Sequence, residues 1–106
     1  MNLDKLASDL HSTAVEKGFW NYEQDFVFFA KQLAMVHSEV TEVLEALRKE
    51  KGEQQVVEEL ADILIRVLDL YQGLKDANVV SLSLHDILEE KANINKDRPK
   101  MHGVLG

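Results

Sequence analysis

Apolar residues recur three and four positions apart along most of the chain, and no stretch alternates apolar with polar residues over a strand's length. The pattern predicts an all-α protein. A first helix covers roughly Leu3 to Lys17, with Leu3, Leu6, Leu10 and Ala14 as its apolar stripe. Gly18 ends it, and Phe19, Trp20 and Tyr22 cluster in the connection that follows. A long second helix runs from about Asp25 to Lys51, its stripe made of Phe26, Phe29, Leu33, Val36, Val40, Val43, Leu44 and Leu47. Gly52 is the expected stop. The third helix runs from about Gln54 to Lys75, carrying Val56, Leu60, Ile63, Val67, Leu70, Tyr71 and Leu74. After the turn "DANVVSLS", Ser83 is an expected N-cap for a fourth helix to about Lys96, with Asp86 three residues on. Two long helices joined by a tight turn pack antiparallel, so the pieces predict a four-helix, bundle-like subunit.

Length and composition narrow this picture. A chain of 106 residues makes one small domain, expected to span residues 1–106. It can bury a core, but a sizeable site would need a second subunit to wall it in. Apolar residues make up 45%, enough for a folded core rather than disorder. With no cysteine there is no disulfide, zinc-thiolate site or thiol nucleophile. The N-terminal "MNLDKLASDL" carries charges where a signal peptide has its apolar run, and no membrane-spanning run follows, so a soluble, cytoplasmic protein is expected. A net charge of −7 argues against binding to nucleic acid, but not against a small anionic substrate met by a bound cation and a few local Lys and Arg side chains.

The charges have a pattern of their own. Glu39 and Glu42 flank the stripe of the second helix, while Glu59 and Asp62 flank that of the third. At about 100° per residue, antiparallel packing across Gly52 brings these four carboxylates together. Glu45 and Glu58 project away and read as solvent-facing charge. Four converged carboxylates repel one another unless something positive sits among them, and a hard divalent cation, Mg²⁺ or Mn²⁺, is the natural occupant. A di-iron centre would need Glu-x-x-His, and none of His11, His37, His85 or His102 has Glu three residues before it. The same spacing also fits a solvated acidic surface.

In "SEVTE" (Ser38 to Glu42), "EELAD" (Glu58 to Asp62) and the basic "KANINKDRPKMHG", the chain resembles the MazG-like all-α nucleoside triphosphate pyrophosphohydrolases. Their pattern is Glu-Glu-x-x-Glu, a spacer, Glu-x-x-Asp and a basic segment. Ser38 stands where that pattern has its first acid. With "KGFW" near the start, the likeness runs from Gly18 to Gly103. It implies that water attacks the α-phosphate of a (deoxy)nucleoside triphosphate, releasing the monophosphate and pyrophosphate. Mg²⁺, with Mn²⁺ as a substitute, would be held by Glu39, Glu42, Glu59 and Asp62, and either Glu39 or Glu42 would take the water's proton. Lys91, Asn95 and Arg98, at i, i+4 and i+7, would contact the phosphates, though a basic helix end also simply complements the helix dipole. His102 is a further phosphate candidate.

Trp20, and less so Phe19, are candidates for stacking on a base, against the alternative that they fill a core gap or a subunit contact. His37 is expected to be a packed core histidine. Lys31 and Gln32 either line the pocket or face solvent. Asp69 either extends the acidic stripe or pairs with Arg66. Subunits are expected to associate through helix faces as homodimers or homotetramers. Two rival readings stand beside the enzyme: a non-catalytic acidic interaction module, and the related phosphoribosyl-ATP pyrophosphohydrolase. The preferred base, ribose or deoxyribose, and the number of metal ions are open.

Overall fold

The computed structural model describes residues 1–99, and within them every regular element is a helix: α1 (Leu3–Glu16), α2 (Phe26–Arg48), α3 (Glu53–Asp76) and α4 (Leu84–Asp97). His102 and the end of the basic segment lie outside the described residues. Three of the four starts carry a side-chain cap. Asn2 accepts from the Lys5 N–H, Asp25 from Phe28 and, as expected, Ser83 from Asp86. Just past the end of α1, Gly18 at φ 86° closes the helix, with Phe19 N–H donating to Ala14 O and Gly18 N–H to Val15 O.

The end of α2 departs from the expected stop. The same pair of bonds forms there, Lys51 N–H to Ala46 O and Glu50 N–H to Leu47 O, but the left-handed residue is Glu50, at φ 51°. Gly52 sits just beyond, also at a positive φ, 100°, as the N-cap of α3.

α3 is the central helix, with α1 and α2 packed along it. Where α1 crosses α3, Ala7, His11, Trp20, Leu68, Leu70 and Gly73 are buried. Gly73 permits this crossing: a Cβ there would stand 2.2 Å from Cη2 of Trp20, so the indole lies directly on the helix backbone. Phe28 and Phe29 close over the ring at centroid distances of 5.1 and 6.3 Å.

α4 is held by its beginning. Asp4 accepts from the Ser83 hydroxyl and the His85 N–H, Leu3 N–H donates to His85 Nδ1, and the Tyr71 hydroxyl donates to the Leu82 carbonyl. The Ser83 bond foremost, and the one from the His85 N–H, lower the Asp4 pKa. From Asp86 to Pro99 every residue is exposed, so α4 is not packed along its length.

The apolar stripes are divided. Phe29, Val36, Val43, Val56, Ile63 and Leu74 turn partly inward, but Leu33, Val40, Leu44, Leu47, Leu60 and Val67 remain exposed, Leu44 at 60%.

Candidate functional site

Glu39 and Glu42 are one turn apart on α2, and Glu59 faces them from α3 across the hairpin. One carboxylate oxygen from each lies within 4.8 Å of the others. Oxygens around a single Mg²⁺ at about 2.1 Å would lie about 3–4.2 Å apart, so small side-chain adjustments bring the three into its shell. Their environments differ: Glu42 is exposed, Glu39 and Glu59 only partly so. The Oε2 atom of Glu59 is buried with no hydrogen-bond partner. A buried carboxylate oxygen without a partner is costly.

The electrostatics agree with the crowding. The Glu42 pKa is raised, chiefly by hydrogen bonding with Glu59, then with Glu39, and then by repulsion from both. Three carboxylates this close repel one another when all are ionised, and a cation among them would relieve that repulsion. Glu39 has a positive partner as well: Arg66 Nε donates to its Oε1 at 2.8 Å. An all-oxygen donor set, an orphaned buried oxygen and carboxylates crowded enough to repel one another together fit a hard divalent cation.

The other sequence candidates fall in several places. Asp62, one turn beyond Glu59, is exposed and does not join the three glutamates within 4.8 Å. Glu45 takes Arg48 and Lys49 as partners, at 3.0 and 3.6 Å, away from the cluster. Lys91, Asn95 and Arg98 lie on the exposed stretch of α4 and its C-cap, and α4 packs against α1, a helix that carries none of the acids. Lys31 is exposed and Gln32 partly so.

Two expectations are corrected, and for Trp20 the core-filling alternative is the one the structure shows. Trp20 is 6% exposed, with His11, Phe28 and Phe29 around it and Gly73 beneath, so it presents no open ring face to a base. His37 is exposed rather than packed in the core, because α2 turns Val36 and not its neighbour toward α3. Asp69 neither pairs with Arg66 nor joins the acids. It accepts from Trp20 Nε1 at 3.0 and 3.1 Å, and its Oδ1 lies 2.8 Å from His11 Nδ1. The signal missed in the sequence was a buried indole's need for an acceptor. Arg66, read only as a partner for Asp69, is the cation on Glu39.

With this geometry in place, a family model described as the MazG nucleotide pyrophosphohydrolase domain matches residues 29–99. The matched span contains all four acids and the Lys91, Asn95 and Arg98 face, and begins beyond "KGFW". No curated protein and no solved structure matches the chain.

Proposed function

The chain belongs to the MazG nucleotide pyrophosphohydrolase family, and from that premise we propose that it is a Mg²⁺-dependent hydrolase of (deoxy)nucleoside triphosphates, with Mn²⁺ as a substitute ion. Water attacks the α-phosphate, and the monophosphate and pyrophosphate leave. The reaction serves house-cleaning of the cytoplasmic nucleotide pool. The observation that carries this reading is the meeting of Glu39, Glu42 and Glu59 beside a buried Glu59 oxygen that lacks a partner.

These three glutamates, with Asp62 one turn further along α3, hold the ion, which when bound neutralises phosphate charge and makes the attacking water more acidic. Of the two acids considered for taking the water's proton, Glu42 is the better supported. It is exposed on the solvent side of the cluster, whereas Oε1 of Glu39 already accepts from Arg66. Lys91, Asn95 and Arg98 contact the phosphates. All three side chains are on the surface, where substrate or the site of a neighbouring subunit would meet them. Subunits associate as homodimers or homotetramers through the exposed apolar lines of α2 and α3.

Those same lines favour the rival reading, a non-catalytic module that docks a partner protein. One assay separates the two. The protein is given canonical and damaged (d)NTPs and phosphoribosyl-ATP with Mg²⁺, and pyrophosphate is scored against orthophosphate. Pyrophosphate from wild-type protein and none from Glu59→Gln is the expected result. Silence across the panel, from folded protein with metal present, hands the case to the docking module.

A further inference from the structure

Arg66 is placed as more than a surface ion pair. It stands on α3 one turn after Asp62 and two turns after Glu59, and it reaches across to α2 to hold Glu39. That bond uses only its Nε–H, one of the five donors of a guanidinium. The Glu39 side chain is 13% exposed and that of Arg66 35%, so the carboxylate is the inner partner and the guanidinium the outer one. A triphosphate approaching this site meets three crowded carboxylates on a chain of net charge −7. Arg66 joins the same two helices, α2 and α3, that carry the acids, whereas Lys91, Asn95 and Arg98 lie on α4 and its C-cap, and α4 packs on α1.

We propose that Arg66 is a substrate-positioning residue: its Nε–H braces Glu39, and the outer edge of its guanidinium takes a phosphate oxygen of the nucleotide. This rests on the hydrolase reading above. An Arg fork suits phosphate in a way that a lysine ammonium does not, because two parallel N–H donors fix the anion's orientation as well as its charge.

The test compares Arg66→Met and Arg66→Lys with wild type. Mn²⁺ binding without nucleotide is followed by electron paramagnetic resonance. Calorimetry with Mg²⁺ then measures binding of the α,β-methylene analogues of the four dNTPs, in which the scissile bridge is blocked. The expected result is at least about tenfold weaker analogue binding in Arg66→Met, partial recovery in Arg66→Lys, and Mn²⁺ affinity no weaker than wild type in either. In turnover the loss appears in KM rather than in kcat. Analogue binding unchanged in Arg66→Met would overturn the proposal, as would a loss of Mn²⁺ binding without nucleotide, which would make Arg66 only a brace for Glu39. Should Arg66→Met fail to fold, Arg66→Lys decides alone: wild-type analogue affinity would overturn the proposal. If wild-type protein neither binds an analogue nor turns over a nucleotide, the hydrolase reading has failed instead. If wild type binds an analogue and Arg66→Met binds it equally, only the role of Arg66 has failed.

Discussion

Glu42 is where the metal-free site is most sensitive to pH. Its raised pKa means that the folded protein keeps a proton there that the unfolded chain releases. The stabilisation from that shared proton is full below the ordinary value of 4.5 and is lost as pH rises through the raised value. A cation competes for the same oxygens, so its affinity falls as pH drops through the same window. Glu42→Gln keeps a neutral side chain at every pH. In the absence of metal it should melt no lower than wild type at pH 7.5, and its Tm should no longer rise with Mg²⁺. Thermal melts across pH, with and without Mg²⁺, check both points; a Mg²⁺ shift that survives the substitution removes Glu42 from the ion's shell. Gly73 gives a second residue-scale prediction. Ala is the better helix former by about 1 kcal/mol, but its methyl would meet the Trp20 ring at 2.2 Å. Overpacking of this kind costs about 1–3 kcal/mol, and the ring is boxed in by His11, Phe28 and Phe29, so Gly73→Ala should destabilise in urea titrations. Of the four carboxylates that spacing on two helices brought together, Glu39, Glu42 and Glu59 meet and Asp62 does not join them. The Trp20–Asp69–His11 network was not legible in the sequence, because its partners are 49 and 58 residues apart and no local pattern links them.

At the scale of elements, helical period and capping residues located all four helices, and the Ser83 cap was readable because a hydroxyl ahead of an apolar run has a local partner. The stop of α2 was misassigned for an equally local reason. Gly52 does take a positive φ, 100°, where the chain enters α3, but the left-handed residue that closes α2 is Glu50. An L-residue in the left-handed helical region costs about 1–2 kcal/mol, partly offset when glycine replaces it by the greater freedom of the unfolded chain. Glu50→Gly should therefore stabilise the protein by about 0.5–1 kcal/mol, measured as a raised urea midpoint with unchanged m-value. A lowered midpoint would mean that the Glu50 side chain contributes more than its backbone costs. The hairpin sets the alignment of Glu39 and Glu42 with Glu59, and a glycine that adopts the same left-handed turn leaves that register unchanged.

The whole molecule exposes what the apolar pattern alone could not decide. A helical stripe shows that a face will be covered, but not by what, and the expected bundle core turned out to be only half used within one chain. Leu33, Val40, Leu44 and Leu47 lie on one line of α2, and Val57, Leu60 and Leu64 on one line of α3, each at least 47% exposed. Seven such side chains on two neighbouring helices exceed the scattered exposed apolar residues of an ordinary monomer. A second copy covers both lines without any new sequence feature, since the surface that needs a partner is present on every subunit. Each half-exposed leucine brought out of water contributes about 1 kcal/mol, and a dimer gains each contribution twice. Sedimentation at micromolar concentration should thus give a mass at least twice the 12.1 kDa of the chain. The double variant Leu44→Glu, Leu60→Glu should shift it toward monomer while circular dichroism stays helical. A wild-type protein that sediments as a monomer would leave these lines to a different partner and favour the docking-module reading. Dissociation also bears on the chemistry: if α4 supplies Lys91, Asn95 and Arg98 to a neighbouring subunit, the double variant should lose nucleotide affinity together with its mass. If instead each chain completes its own phosphate contacts, affinity should survive the loss of the partner.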